Sequence, residues 1–254
     1  MEISTTMSAH HSGKVTLITG ANKGIGFETA RQLARDHGHT VLLGARDAGR
    51  GKEAAEILHG EGLDVQFLAI DPTDEASVRA AVAEVADRFG RLDVLVNNAG
   101  WLDREDFSLP APQVSMAIFE GTYAINVFGL VRVTQAFWDL LEKSPAARLV
   151  NVSSALGSLA LHADFADGPF TEVKAAAYDS SKAAVNMLTV HYAALWENTP
   201  HRANAIHPGS VKTDLNPTGE LTLEQGAKSS VELATLGSGG PNGTFSHLGN
   251  PLPW

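Results

Sequence analysis

The stretch Val15-Thr-Leu-Ile-Thr-Gly-Ala-Asn-Lys-Gly-Ile-Gly26 joins a short apolar run to a segment with helical periodicity. Its β-branched first part is typical of a buried strand, and the apolar residues from Gly24 onward share one face of a helix. Three glycines stand at the junction in the spacing Gly-xxx-Gly-x-Gly. Glycines allow a tight turn and let the backbone approach a pyrophosphate that rests on the N-terminus of the helix. The stretch predicts a nucleotide-binding strand-turn-helix unit, with a glycine-rich connection that binds nothing as the alternative.

Strand-like and helix-like segments alternate outward from this unit to the end of the chain. Predicted strands cover 15–19, 40–43, 65–70, 92–96, 148–152, 202–206 and 243–245, and predicted helices cover 24–36, 48–58, 74–89, 118–141, 174–197 and 223–236. Alternating βα units favour a parallel sheet with helices on both faces. The expected fold class is therefore α/β, a doubly wound parallel sheet of about seven strands. We expect a flexible tail at 1–13, one domain at 14–254, and exposed loops at 103–114 and 161–171.

Composition excludes several classes of function. The chain has 254 residues, of which 44% are hydrophobic and 19% are charged, an ordinary globular balance. A formal net charge of −10 disfavours nonspecific binding to nucleic acid or to an anionic membrane. The absence of cysteine excludes disulfides, thiolate metal sites and cysteine nucleophiles. We find no histidine–carboxylate spacing typical of zinc and no apolar run long enough to span a membrane, so we expect a cytoplasmic protein without a metal.

A phenol and an amine lie four residues apart at Tyr178 and Lys182, within a predicted helix. This spacing is one helical turn, so both side chains leave the same face. An ammonium near the phenol would lower its pKa from about 10 and allow proton transfer near neutral pH. Such a pair is more often an ordinary surface pair. The glycine loop and the serine pair Ser153-Ser154, which ends a predicted strand, make a proton-transfer site the better interpretation.

Two cations lie where the ribose of an adenosine should bind. Lys23 precedes the second glycine of the loop, and Arg46 follows the second strand, where an enzyme that prefers NAD usually carries an acid. A guanidinium at this position suits a 2′-phosphate, which favours NADP(H) over NAD as the cofactor. The alternative is a solvated charge pair between Arg46 and Asp47.

Together these residues resemble the short-chain dehydrogenase/reductase family, from Lys14 to Trp254. The resemblance implies a Rossmann fold and the catalytic residues Asn126, Ser154, Tyr178 and Lys182. It also implies the cofactor-binding residues Gly20, Asn22, Lys23, Gly24, Ile25, Gly26, Arg46, Asp71, Pro72, Asn98, Ala99, Gly100, Tyr178, Lys182, Pro208, Gly209, Val211 and Thr213. The loop and the C-terminal segment are similar to those of NADPH-dependent carbonyl reductases within the family.

The resemblance implies a role for each catalytic residue. Tyr178 would donate a proton to a substrate carbonyl, Ser154 would hydrogen-bond the same oxygen, and Lys182 would lower the pKa of Tyr178 and hold the ribose. Ser154 is favoured over Ser153 because Ala-Leu-Gly follows it, as in the family. Asn126 would anchor a water that links Lys182 to solvent, or would only hydrogen-bond within its helix.

The expected function is reduction of ketones or aldehydes to alcohols with NADPH. The alternatives are an alcohol dehydrogenase that works oxidatively with NAD(P), and an NADP-binding regulator without catalysis. The segment between Ser154 and Tyr178 is longer than the family norm, which leaves a dimer, a tetramer or a monomer open. Seven apolar residues near the expected site would either line an apolar substrate pocket or pack the loops: Trp101, Leu102, Leu156, Leu159, Phe165, Phe170 and Trp254.

Overall fold

The computed structural model describes residues 13–254, so nearly all of the predicted N-terminal tail lies outside the described residues. The strands are β1 (Val15–Ile18), β2 (Thr40–Ala45), β3 (Val65–Ala69), β4 (Val94–Asn97), β5 (Arg148–Val152), β6 (Arg202–Ile206), β7 (Phe245–His247) and β8 (Asn250–Pro251). The helices are α1 (Gly24–His37), α2 (Ala48–Gly60), α3 (Glu75–Phe89), α4 (Met116–Tyr123), α5 (Leu130–Glu142), α6 (Leu159–His162), α7 (Ala176–Leu195) and α8 (Leu223–Ala234).

The strands form one sheet of eight in the order β3-β2-β1-β4-β5-β6-β7-β8. β1 to β7 are parallel, and only the two-residue β8 at the edge runs antiparallel. The predicted α/β doubly wound parallel sheet of about seven strands is therefore confirmed. The predicted last strand at 243–245 starts two residues early, because Gly243 has a positive φ of 71° and the strand begins at Phe245.

Both faces of the sheet are covered, as the apolar strands require. Leu17 and Leu95 point to one face, where α3, α5 and α7 pack, while their neighbours Ile18 and Val96 point to the other face, beneath α1, α2 and α8. Successive side chains of a strand point to opposite faces, so a strand covered on both sides is apolar throughout. Each such fully buried leucine or isoleucine stabilises the fold by about 1.5–3 kcal/mol.

The chain reverses direction across the sheet between β1 and β4. It moves outward from β1 through β2 to β3, then crosses back to place β4 on the other side of β1. Ligands of open α/β sheets bind outside the carboxyl ends of the strands at such a point. The loops after β1 and β4 are closely packed here, since a Cβ added to Gly20 (φ 64°) would lie 2.9 Å from the Cα of Ala99.

One long helical region, Met116–Glu142, consists of α4, a π-helical segment Ala124–Gly129 and α5. By length and composition alone it could cross a membrane, so the prediction that no apolar run is long enough to span a membrane was wrong. Its second half packs into the protein core through buried residues such as Val133 and Phe137. The π-helical segment is where this region passes the carboxyl end of the sheet, and π-bulges are frequent at functional sites.

The two predicted loops contain short helical turns. The first contains Arg104–Phe107 and Ala111–Gln113, and α6 overlaps the start of the second. Sequence periodicity cannot detect turns this short. The first loop is also not uniformly exposed, because Asp106 is completely buried.

Candidate active site

A cavity of about 910 Å³ runs along the carboxyl ends of the strands, above the crossover between β1 and β4. Most of the predicted site residues line it: Gly20, Asn22, Lys23, Gly24, Ile25, Arg46, Asp71, Pro72, Asn98, Ala99, Gly100, Tyr178, Lys182, Pro208 and Thr213. Five predicted residues do not line it, namely Gly26, Asn126, Ser154, Gly209 and Val211. A single cleft thus brings together the carboxyl ends of six strands, β1 to β6.

The turn between β1 and α1 has the features that a pyrophosphate needs. Lys23 at the N-cap is extended and no side chain caps the helix, so main-chain N–H groups of the first turn remain available to an anion. The Asn98 amide donates to the carbonyls of Thr19 and Gly20 at 2.9 and 3.1 Å and holds the turn against β4. A dinucleotide phosphate therefore fits the residues that are present.

Gly26 lies in the first turn of α1 and does not line the cavity. A Cβ added there would lie 2.4 Å from the Asn98 Nδ2, so a side chain cannot fit while Asn98 holds the turn. The glycine serves the close packing of α1 against the loop after β4, and its contribution to cofactor binding is indirect.

Three cations, Lys23, Arg46 and Arg50, lie at the end of the cavity where the sequence predicts the adenosine, which we call the adenosine end. The Asp47 carboxylate accepts from the main-chain N–H of Arg50 at 2.9 Å and from its guanidinium at 3.0 Å. These bonds to Arg50 lower the pKa of Asp47. The alternative of a pair between Arg46 and Asp47 is not what the structure contains, since Arg50 takes that carboxylate. Arg50 was missed because only the helical i, i+3 geometry turns it toward the cavity.

At the other end of the cavity, Ser154, Tyr178 and Lys182 come together. The Ser154 hydroxyl accepts from the main-chain N–H of Leu156 at 3.2 Å, and its interaction with the Tyr178 phenol acts to lower the pKa of that phenol. The Lys182 ammonium donates to the carbonyl of Val152 at 2.8 Å and lies 5.6 Å from the centre of the tyrosine ring. The hydroxyl of Ser153 donates instead to Oδ1 of Asn186 at 2.6 Å, which turns it toward α7. This geometry favours Ser154 over Ser153 as the partner of the phenol.

Burial controls the ionisation of this group. Tyr178 is half-buried by surface area, but its phenol is desolvated by the protein atoms around it, and this raises its pKa to about 12 against the opposing hydrogen bond from Ser154. Burial likewise lowers the pKa of Lys182 to about 8. The expected net fall of the tyrosine pKa below its usual value is therefore wrong for this structure. Desolvation favours the neutral form of both groups and outweighs their attraction at this separation.

Asn126, in the π-helical segment, connects two parts of the site. Its Oδ1 accepts from the main-chain N–H of Trp101 at 2.7 Å, and its Nδ2 donates to the Trp101 carbonyl at 2.8 Å and to the Ser181 hydroxyl at 3.0 Å. Ser181 lies on α7 between Tyr178 and Lys182. The side chain thus ties the loop after β4 to the catalytic helix. None of these bonds stays within its own helix, so the alternative that Asn126 only hydrogen-bonds within its helix is wrong, and the water relay stays a prediction.

The structure adds a buried carboxylate that sequence reasoning missed. Asp106 accepts hydrogen bonds from the main-chain N–H groups of Ala177 at 3.2 Å and Tyr178 at 2.9 Å. Burial, followed by the charge of Asp106, raises the pKa of Asp179 to about 7. No local pattern could have identified Asp106, because it lies in a proline-containing loop far from Tyr178 in the chain.

A second missed feature lies at the mouth of the cavity. Lys23 pairs with Asp214 at 2.6 Å, and the Arg104 guanidinium donates to the main-chain carbonyl of Asp214 at 3.0 Å. These contacts, which we call the Lys23–Asp214 clasp, connect the loops after β1, β4 and β6. Within residues 13–254, no group of three or more histidine, aspartate or glutamate residues is arranged to hold a metal ion.

The seven apolar residues fill the two expected roles only in part. Trp101 and Leu102 line the cavity, together with Ile125, Leu215 and Leu223. The others do not line it. Phe170 packs on the His162 ring and Trp254 stacks on Phe245, while Leu159 and Phe165 are exposed to solvent.

Comparison with known proteins agrees with this geometry. Residues 14–222 match the family model of short chain dehydrogenases. The chain is 36% identical to (+)-neomenthol dehydrogenase of Arabidopsis thaliana, over 90% of this chain and 93% of that protein. It is 34% identical to (−)-isopiperitenone reductase of Mentha piperita, over 91% and 95%. The solved structure of NADPH-bound carbonyl reductase from chicken fatty liver superposes with a TM-score of 0.82 at 27% identity, over 95% of this chain and 99% of that one. The chain therefore belongs to the short-chain dehydrogenase family and is a nicotinamide-dependent oxidoreductase that acts on carbonyl or alcohol groups.

Proposed function

We propose that this protein is an NADPH-dependent carbonyl reductase that reduces ketones or aldehydes to alcohols. The observation that carries the proposal is the shared cavity: the Ser154–Tyr178–Lys182 group lines or borders the same cleft as the turn suited to a pyrophosphate. The bound nicotinamide would supply the hydride, and the protein would supply the proton and the orientation.

The ionisation of the site supports the reductive direction. With a pKa of about 12, the Tyr178 phenol carries its proton at neutral pH and can donate it from Oη to a carbonyl oxygen. Ser154 would hold that oxygen by a hydrogen bond. Lys182, with a pKa of about 8, is largely an ammonium at neutral pH and would stabilise the phenolate left by the transfer. Alcohol oxidation needs the phenolate at the start, which burial disfavours, so the oxidative alternative is the weaker one.

The preference for NADPH over NADH rests on charge at the adenosine end. Arg46 follows β2 where NAD enzymes usually carry an acid, and Lys23, in the turn between β1 and α1, lines the same cavity. The Asp47 carboxylate is paired with Arg50. The Arg46 guanidinium is therefore available to bind a 2′-phosphate. The chicken liver structure, which contains NADPH, supports the same choice.

The substrate that we propose is an apolar ketone larger than a simple aldehyde. Trp101, Leu102 and Leu215 supply apolar surface to the cavity, and Trp101 is joined through Asn126 to Ser181 on the helix that carries Tyr178. The relatives named for neomenthol and isopiperitenone support an alicyclic ketone as the first substrate to test.

The deciding experiment is a panel of alicyclic, aromatic and aliphatic carbonyl compounds, assayed by the loss of reduced-nicotinamide absorbance with NADPH and with NADH. We expect turnover with NADPH, and in Tyr178→Phe a loss of kcat by about 10²–10⁴-fold, the usual contribution of general acid catalysis. NADPH binding by this variant, followed by fluorescence, should persist. Equal turnover by Tyr178→Phe would refute the proton-donor role, and NADPH binding without turnover of any substrate by the wild type would favour the non-catalytic regulator.

A further inference from the structure

The first turn of α7 is held by a residue from a distant loop. Ala175 at the N-cap position has no side chain able to accept a hydrogen bond, and the helix begins at Ala176. Asp106 takes over this function with both carboxylate oxygens, one to the N–H of Ala177 and one to the N–H of Tyr178. A helix N-terminus leaves main-chain N–H groups without internal partners, and a carboxylate there also complements the helix dipole.

Asp106 is itself held rigidly. It is completely buried, and it lies in the short helical turn Arg104–Phe107, whose N-cap Asp103 accepts from the N–H of Glu105 at 2.9 Å. The next residue, Phe107, places its ring 6.2 Å from that of Tyr178. The same turn therefore contacts Tyr178 twice. The Asp106 carboxylate binds the main-chain N–H of Tyr178, and the Phe107 ring lies beside the tyrosine ring.

We propose that Asp106 is a positioning residue, which sets the location of the Tyr178 phenol relative to Ser154 and Lys182 by anchoring the first turn of α7. The inference rests on the proposed role of Tyr178 as proton donor. Because Tyr178 lies in that first turn, a shift of its main chain moves the phenol directly. Lys182 lies one turn further along α7, where other contacts hold the helix. Loss of Asp106 would therefore shift Tyr178 but not Lys182, and would change the distance between their side chains.

The charged groups around Asp106 give the inference a second readout. On α7, Asp179 follows Tyr178, and one oxygen of its buried carboxylate has no partner. On α6, the His162 imidazole lies 3.5 Å from the other oxygen of Asp179 and also bonds the carbonyl of Leu156. Burial and then the charge of Asp106 raise the pKa of Asp179 to about 7, and the charge of Asp179 in turn adds to the raised pKa of Tyr178. Neutralising Asp106 should therefore lower the pKa of Asp179.

The experiment compares Asp106→Ala and Asp106→Asn with Asp93→Asn in the full-length protein. Asp93 is a matched control: it is also buried and accepts a main-chain N–H, from Val15 at 2.9 Å, but at the opposite end of the sheet. We expect Asp106→Ala to lower kcat by about 10–100-fold, the scale of a displacement near 1 Å, with the KM for NADPH changed by less than about threefold. Asp106→Asn keeps one acceptor oxygen and should recover most of the rate.

The pH profile separates positioning from a loss of stability. As pH rises through 7, Asp179 becomes charged and Tyr178 becomes a poorer acid, so kcat for reduction should begin to fall there in the wild type. In Asp106→Asn this fall should start at lower pH, because the like charge that raises the Asp179 pKa is gone. In Asp93→Asn the profile should not move.

Two results would overturn the inference: Asp106→Ala with a kcat within threefold of the wild type, or equal losses of kcat in the Asp106 and Asp93 variants. If Asp106→Ala does not fold, Asp106→Asn decides, and an unchanged kcat with an unmoved pH profile would overturn the inference. An active Tyr178→Phe would instead refute the proposed function, so the two failures are distinguishable.

Discussion

The two ends of the cavity use charge in opposite ways. At the adenosine end, the side chains of Lys23 and Arg50 are 61% and 63% exposed and their partners are surface carboxylates. At the catalytic end, Lys182 is 5% exposed, Asp106 is completely buried, and the pKa values of the neighbouring Tyr178 and Asp179 are raised. Exposed charges are screened by solvent, whereas buried charges interact strongly with each other.

This difference separates binding from chemistry. A change at the exposed end alters attraction for an anionic ligand and should appear in KM, with a strong dependence on salt. A change at the buried end alters proton affinity and position and should appear in kcat and its pH profile. Substitutions at the two ends therefore test whether the division holds.

Among the substitutions that compare the two ends, the largest effect should come from Lys182→Met, which removes the buried ammonium at nearly constant side-chain length. We expect kcat for reduction to fall by about 100-fold or more, because the phenolate formed by proton transfer loses its stabilising charge. In the wild type, the ammonium is present below its pKa of about 8 and lost above it, so kcat should fall as pH rises through 8. The variant should lack this step.

The measurement is kcat against pH for the wild type, Lys182→Met and the control Lys228→Met, an exposed lysine on α8. The control should retain the rate and the alkaline step. A Lys182→Met profile that keeps the step near pH 8 would assign that ionisation to another group. It would contradict the claim that a buried charge at the catalytic end controls the pH dependence of kcat.

At the exposed end, Arg46→Ala should raise the KM for NADPH by about 10–100-fold, the range of one or two charge-assisted hydrogen bonds to a phosphate. The KM for NADH and the kcat with saturating NADPH should change little. Steady-state kinetics with both cofactors measures this, with Arg79→Ala on α3, an exposed arginine paired with Glu75, as the control. An equal effect on both cofactors would contradict a 2′-phosphate contact and the preference for NADPH.

The same division explains which parts of the site could be predicted from the sequence. β5 and β6 were predicted to the residue, because strand patterns are local. The glycine-rich turn between β1 and α1 was predicted for the same reason, since its glycines lie close together in the chain. Most of the exposed end is therefore visible in the sequence.

The buried end depends on contacts that no local pattern encodes. Asp106 and Tyr178 meet only after β5 is placed beside β4 and α7 returns over the sheet. The pKa of Tyr178 was expected to fall because the nearest charge in the sequence is Lys182, yet desolvation, which depends on the whole fold, raises it to about 12. Sequence spacing predicted that Tyr178 and Lys182 lie on one face of a helix, but not the environment that determines their protonation.

The smallest effect should come from Asp214→Asn, which removes the ion pair of the Lys23–Asp214 clasp and keeps the main-chain carbonyl that Arg104 binds. Loss of one negative charge beside the cavity should lower the Kd for NADPH by about two- to fivefold at low salt, the scale of an exposed pair, and the effect should vanish in high salt. Fluorescence titration of NADPH at two ionic strengths measures it, with Asp36→Asn, which breaks an exposed pair with Arg35 near the C-terminal end of α1, as the control. Weaker NADPH binding by Asp214→Asn would mean that the clasp holds the loop in place more than it competes with the cofactor for Lys23. Charged residues at the exposed end would then position other groups, as Asp106 does at the buried end.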